Sequence, residues 1–292
     1  MQFYNMDKFY KPNTIAILFN EKLNECELLA NKIKNDIKDD FEVFVQNTAL
    51  SLENGLPSNP DLLISIGGDG TILRCSKVLN GTNCPILGIN MGNLGFLCEI
   101  DSNEVGNKLQ SYLNGNAVIE KRNKLKINLI SSNSKKEYSA LNDIVISRGS
   151  KIRVVNVEAL INGNHFATYK GDGIVVSTAT GSTAYSLSLG GAILSPASNK
   201  MIMKPIAAHT SLMGGLVTED VIISLRASSN EDLSISVDGF IDNKIDDFDQ
   251  IDVEIDKENK AFFVRTENFE DLYWSSLAQK LDLKKGDVIS GK

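Results

Sequence analysis

Histidine, cysteine, proline and tryptophan are scarce in this chain of 292 residues, which holds two, four, six and one of them respectively. Two histidines, His165 and His209, exclude a histidine-rich metal centre. The cysteines Cys26, Cys75, Cys84 and Cys98 form no C-x-x-C pair that would hold zinc or cycle as a dithiol, and three stand in apolar periodic segments. They read as reduced core residues. No apolar run approaches the ~18 residues of a membrane span, and the first residues lack the charged-then-apolar order of an export signal. A cytoplasmic location with no membrane partner is the resulting expectation. Basic residues are also in deficit: 30 Lys and Arg against 37 Asp and Glu give a net charge of −7. Such a balance argues against a nucleic-acid surface, whose affinity comes from neutralising backbone phosphates. A small phosphorylated ligand stays open, because backbone N–H groups hold phosphate without a basic surface.

With 42% hydrophobic and 23% charged residues, the composition is that of an ordinary globular chain long enough for two cores. In the first 120 residues apolar strands alternate with helical periodicity. TIAILF (14–19) is followed by Leu23, Cys26, Leu29, Ala30, Ile33 and Ile37 at helical spacing. EVFVQ (42–46), DLLISI (61–66) and PILGIN (85–90) read as further strands, 71–80 as a helix, and 103–113 as a helix with Val105, Leu109, Tyr112 and Leu113 inward. Strands apolar throughout and separated by helices predict a parallel, Rossmann-like α/β sheet. Beyond residue 120 the period becomes two, at 124–130, 153–161, 221–226, 233–238 and 261–265, which predicts an antiparallel all-β domain. SSLAQKLDL (275–283) returns to helical spacing through Leu277, Leu281 and Leu283, predicting a C-terminal helix that packs back on the first domain. The expected division is 1–122, 123–268 and a tail 269–292. The acidic stretch 239–260 lacks calcium-loop spacing and reads as solvated turns.

Four clusters hold residues suited to chemistry. Gly67, Gly68, Asp69, Gly70 and Thr71 join a predicted strand to a predicted helix, where open α/β sheets bind ligands. Glycine there leaves backbone N–H groups bare, and a helix N-terminus adds positive charge. Neither G-x-x-x-x-G-K-[ST] nor a complete G-x-G-x-x-G is present, because Leu73 stands at the last glycine position, so a hydride-transferring Rossmann enzyme is disfavoured. Three readings of Asp69 stay open: a cap on the following helix, a partner of a divalent cation at a bound phosphate, or a base facing a reacting hydroxyl. YKGDGIVVSTATGSTAYSLSLGGAIL (169–194) repeats G-D-G at Gly171, Asp172 and Gly173, then offers hydroxyls and small residues around Thr180 to Ala184, with Tyr185 as a stacking surface. GINMGNLGFL (88–97) follows a strand and would emerge at the same sheet edge as Asp69. Asn142 and Asp143 precede an apolar run, either as a turn or as ligand contacts.

Taken together, GGDGT (67–71), GINMGNLGFL (88–97), LND (141–143) and GDGIVVSTATGSTAYSLSLGGAILSP (171–196), with a weaker ISVDGF (235–240), resemble the NAD kinase family. The resemblance implies a dinucleotide held between an α/β and a β-rich domain. It also implies transfer of the terminal phosphate of ATP, with a divalent cation such as Mg²⁺, to the 2′-hydroxyl of the adenosine ribose of NAD, forming NADP. It implies Asp69 as general base, with Gly68 and Gly70 beside it at the phosphates. It further implies dinucleotide contacts at Asn142, Asp143, Asp172 and the run Thr183, Ala184, Tyr185, Ser186, Leu187 and Ser188. Arg74, Lys170 and Arg153 fall where such enzymes carry basic or polar contacts, and a homodimer or homotetramer is implied as well. The chain departs from the family pattern at Asp143, where Glu is frequent, and at Gly214 and Gly215, where many bacterial members carry Arg and Pro. A lipid or other small-alcohol kinase sharing only the GGDG turn is the alternative, and a non-catalytic dinucleotide sensor a more distant one.

Overall fold

The computed structural model describes residues 6–92, 95–132, 134–149, 154–209 and 214–283. The candidate Arg153, Asn93 of the glycine-rich loop and the segment 210–213 lie outside them. The chain divides into two compact units, the first made of Met1–Val78, Cys84–Glu120 and Phe262–Lys292, the second of Leu79–Asn83 and Lys121–Ala261.

In the first unit the strands Glu42–Asn47, Thr14–Phe19, Leu62–Gly67 and Ile86–Asn90 pair in that order, all parallel. The last residues of the strand Gln250–Arg265 join the same sheet, with Phe263 opposite Ile86, also in parallel. Parallel strands need crossovers, and helices supply them. Successive strand side chains point to opposite faces, so the sheet buries both. On one face Ile15, Ile17, Ile64 and Ile89 meet Cys26, Ala30 and Ile33 of the helix Asn24–Ile37 and Leu109 and Leu113 of the helix Val105–Leu113. The other face, with Leu63 and Ser65, receives Ile72 and Cys75 of the helix Asp69–Val78, all fully or almost fully buried. Each such aliphatic side chain contributes about 1.5–3 kcal/mol on burial, which is why no residue of LLISIG could be polar and large.

The tail helix runs Phe269–Lys280, starting six residues before the expected 275. Its first turns escaped notice because they are not amphipathic: Leu272 and Trp274 are both exposed. Leu277 is buried as expected, whereas Leu283 lies beyond the helix and is exposed. The helix nonetheless belongs to the first unit.

The second unit is antiparallel. One sheet orders Leu216–Glu219, Lys200–Ile206, Gly173–Ser177, Asp143–Arg148, Leu233–Val237 and Phe240–Ile245. The other orders Asn164–Gly171, Val155–Ile161, Ile223–Ser228, the long strand ending at Arg265, Val118–Ser131 and Ser134–Ala140. Ile144, Ile146, Ile174 and Ile235 of the first sheet form one core with Leu125, Val157, Leu225 and Ile251 of the second. The two-residue period read from the sequence is the footprint of this sandwich. The α/β plus all-β architecture is therefore as the residues predicted.

At Gly88 the helix Asp69–Val78 packs tightly on the sheet: a Cβ there would lie 2.7 Å from the Ile72 side chain and 3.1 Å from the Cys98 backbone. Gly88→Ala is expected to lose about 1–3 kcal/mol through overpacking, read from urea unfolding. An unchanged midpoint would show that the helix has room to shift.

Candidate active site

The helix Asp69–Val78 starts directly at the acid, with Gly68 and Gly70 either side and nothing within 4 Å of the position a Cβ would take on either. Gly67 ends the strand, and a Cβ there would collide with Thr71. Asp69 does not cap its helix. Its two carboxylate oxygens accept N–H groups from the neighbouring loop, Oδ2 from Phe96 at 2.7 Å and Oδ1 from Leu97 at 3.0 Å. Met91 N–H donates to the Gly67 carbonyl at 3.0 Å, so the glycine-rich loop does emerge beside the GGDG turn. A Cβ on Gly95 would strike the Asp69 carboxylate, and glycine there is what lets the loop approach. The acid is half-buried, with its oxygens fixed by the backbone instead of swinging in solvent.

Behind that loop lies a residue that periodicity did not single out. Arg265, at the end of AFFVR, is 1% exposed. Its Nε donates to Glu120 Oε2 at 2.8 Å, and its Nη1 donates to the Leu97 carbonyl at 2.9 Å and to Glu99 Oε2 at 3.2 Å. The rings of Phe263 and Phe269 lie 5.0 and 4.9 Å from the guanidinium carbon. Glu99 also accepts the Tyr112 hydroxyl at 2.9 Å and the Thr266 N–H at 2.8 Å. One signal was available: a cation closing an otherwise apolar strand needs a buried counter-charge. Lys280 of the tail helix stands with its ammonium 5.9 Å from the centroid of the Phe96 ring, and burial, then the charge of Arg265, lower its pKa.

In the second unit the carboxylate of Asp238, from the ISVDGF stretch, accepts three consecutive backbone N–H groups, from Leu141 at 2.8 Å, Asn142 at 2.6 Å and Asp143 at 3.1 Å. Thr178 reinforces the same loop: its hydroxyl donates to the Leu141 carbonyl at 2.6 Å and its N–H to the Asn142 carbonyl at 2.9 Å. The Thr178 oxygen in turn accepts the Gly181 N–H at 3.0 Å. A Cβ on Gly181 would collide with the Asn142 carbonyl, which explains the small residue in ATGSTAY. Asn142, Asp143 and the turn leading into the short helix Tyr185–Ser188 are thus one assembly. Two of its polar atoms, Asn142 Oδ1 and Ser186 Oγ, are buried without a hydrogen-bond partner among the described residues. Tyr185 and Ser188 are exposed, Thr183, Ala184 and Leu187 half-buried.

Burial, then the neighbouring Asp238 charge, push the Asp143 carboxyl up to about 7. Burial raises Asp238 as well, but its three N–H donors and the charge of Lys124 oppose the shift. Both causes at Asp143 favour its protonated form, whereas at Asp238 the N–H donors and Lys124 work against the rise.

Comparison with known proteins bears on both clusters. Residues 6–117 match the model of the ATP-NAD kinase N-terminal domain and residues 141–266 that of the ATP-NAD kinase C-terminal domain. An NAD kinase of Caldanaerobacter subterraneus subsp. tengcongensis is 40% identical over 231 residues, 78% of this chain and 82% of the relative. The chain belongs to the ATP-NAD kinase family. An NAD kinase of Clostridium tetani is 39% identical over 214 residues, 72% of this chain and 78% of the relative. Among solved structures, an NAD kinase from Archaeoglobus fulgidus in complex with ATP is similar with a TM-score of 0.73 at 25% identity, covering 91% of this chain and 99% of that one. Yeast NADH kinase complexed with NADH shares the fold, with a TM-score of 0.79 at 23% identity over 98% of this chain and 91% of that one.

Not every residue that the family resemblance singled out joins these clusters. Arg74 turns to the Glu21 carboxylate at 3.1 Å and the Thr48 hydroxyl at 3.3 Å. Asp172 sits before the strand Gly173–Ser177, where Arg148 approaches it at 3.3 Å, while Asp143 pairs with Ser177 at the other end. Lys170 is exposed on the strand Asn164–Gly171, and its carbonyl accepts the His209 N–H at 2.8 Å. Asp172 and Lys170 are thus separated from Asn142, Asp143 and the Thr183–Ser188 run by the length of a five-residue strand.

A native state that holds a proton the unfolded chain has released is favoured in acid. The contribution of Asp143 is fully present below the ordinary carboxylate range and is lost as pH rises through about 7. Asp143→Asn removes this dependence, so the variant gains stability relative to the parent between pH 5 and pH 8, read by urea unfolding at both. A pH-independent difference would contradict the assignment.

Proposed function

We propose that this chain transfers the terminal phosphate of ATP to the 2′-hydroxyl of the adenosine ribose of NAD, releasing ADP and NADP. Asp69 takes the hydroxyl proton as the oxygen attacks phosphorus and the bond to the β-phosphate oxygen breaks. The observation that carries the reading is the Asp69 carboxylate, held by Phe96 and Leu97 N–H groups at the first residue of a ten-residue helix. A ribose hydroxyl is a poor nucleophile, and a positioned base contributes about 10² to 10⁴ in rate. Most of the remaining barrier falls to holding phosphate and hydroxyl in line. Gly68 and Gly70, open on their Cβ sides, leave room for the donor phosphates to approach backbone N–H groups at the positive end of that helix.

The dinucleotide is assigned to Asn142, Asp143 and the run Thr183 to Ser188, with Asp172, Lys170 and Arg153 as further contacts. Two buried polar atoms there without a partner among the described residues, Asn142 Oδ1 and Ser186 Oγ, support a ligand that supplies hydrogen-bonding groups. A neutral Asp143 is itself a donor, suited to a ring nitrogen or carbonyl of the substrate. Arg74 is assigned a contact through the Glu21 and Thr48 network. Among the described residues no three carboxylate, imidazole or thiolate groups cluster closely enough to hold a metal ion. The divalent cation is assigned to the triphosphate, with which it enters as substrate. A lipid or small-alcohol kinase shares only the GGDG turn and leaves the second cluster without a purpose. A homo-oligomer in the cytoplasm completes the reading; among the described residues no helix is long and apolar enough to cross a membrane.

Purified chain with ATP, Mg²⁺ and NAD is expected to form NADP, measured by coupled reduction to NADPH. Asp69→Asn should bind NAD with little change and turn over about 10² to 10⁴ more slowly. Undiminished turnover would remove the base from Asp69. No NADP with any divalent cation or phosphate donor would overturn the activity.

A further inference from the structure

We infer that Arg265 is the positioning residue for Asp69, acting through the single residue Leu97; the inference rests on the reading of Asp69 as base. Leu97 is held at both ends of its backbone. Its carbonyl accepts Arg265 Nη1 at 2.9 Å, and its N–H donates to Asp69 Oδ1 at 3.0 Å. Phe96 fixes the other carboxylate oxygen at 2.7 Å. Any shift of the Leu97 carbonyl therefore rotates or displaces the acid. A general base works only within hydrogen-bond reach of its proton, and a misplacement of about 1 Å costs up to ~10²-fold in rate.

The guanidinium is itself held in one orientation. Glu120 takes Nε at 2.8 Å and Glu99 shares Nη1 at 3.2 Å, while the Phe263 and Phe269 rings lie 5.0 and 4.9 Å away. A planar fork can serve Glu120 with one nitrogen and Leu97 with another; a lysine ammonium has one nitrogen and cannot span both. Stability alone does not account for this residue. Buried ion pairs are often no better than apolar side chains of the same volume, and here Nη2 is buried without a hydrogen-bond partner among the described residues. What the guanidinium supplies that an apolar side chain could not is a directed N–H at the Leu97 carbonyl.

A double-mutant cycle tests this, with kcat and KM for NAD measured on the parent, Arg265→Lys, Asp69→Asn and the double variant, and urea unfolding run on each. Arg265→Lys is expected to lower kcat by about 10- to 10²-fold, with KM within about threefold. Because both residues act through one contact, the double variant should be no slower than Asp69→Asn within about twofold. Unchanged kcat in Arg265→Lys, or losses that multiply, would overturn the inference. Full turnover in Asp69→Asn would instead overturn the base reading, so the two failures are distinguishable. Should Arg265→Lys not fold, the cycle is run with Tyr112→Phe, which removes the phenol that donates to Glu99 and also meets the Thr266 side chain. That variant should lose about 2- to 10-fold in kcat, the worth of one hydrogen bond, and lose nothing further in the Asp69→Asn background. A loss of equal size in both backgrounds, or none in either, would overturn it.

Discussion

A guanidinium stripped of water must be met by charge, and in the first unit this constraint decides where the chain goes. Arg265 draws Glu120 from the end of the unit's middle segment, Glu99 from the loop after the strand Ile86–Asn90, and the Leu97 carbonyl to one point. Removing one member of such a buried set leaves an uncompensated charge and costs about 3–5 kcal/mol, although the intact set adds little net stability. The set therefore specifies geometry more than it stabilises. It fixes the loop 95–99 against the strand edge, and that loop holds the acid of the GGDG turn. The helix Phe269–Lys280 follows directly from the anchored strand, with Phe269 against the same guanidinium.

The second unit solves a similar problem with a carboxylate. Asp238 collects three N–H groups where Asp69 collects two, and in both cases a loop is held by an acid that is not its own. At Asp238 the three N–H groups favour the charged form against burial, which raises its pKa. For Asp143 the neighbour is Asp238, and burial with the repulsion between them leaves the Asp143 carboxyl protonated up to about pH 7. Donors oppose the rise at one acid and nothing opposes it at the other, a difference that neither residue type announces alone.

Much of this was legible in the residues. Strands apolar throughout read correctly as parallel because both faces of the sheet are buried, and period-two strands read correctly as an antiparallel all-β domain. The glycines of GGDG and of GINMGNLGFL marked two loops that do meet, since a side chain at Gly95 would occupy the space of the Asp69 carboxylate. What the sequence concealed were the long-range partners. Arg265 bonds to residues 145 and 168 positions away, and no local period encodes such a distance. A capping role for Asp69 was a fair local reading that a tertiary contact displaced. The start of the tail helix was hidden for a different reason, because a helix without a buried stripe leaves no periodic mark. Asp172 and Asp143 both stood where the family resemblance implied dinucleotide contacts, yet the strand between them puts them at opposite ends.

The central claim is that the Asp69 carboxylate and the Phe96 and Leu97 amides form one fixed unit. Amide hydrogen exchange at those two positions, followed by NMR in the parent and in Asp69→Ala, tests it most directly. The account predicts protected amides in the parent, with protection lost at Phe96 and Leu97 in the variant while the helix Val105–Leu113 keeps its own. Amides at Phe96 and Leu97 that exchange in the parent as freely as in an open loop would contradict it.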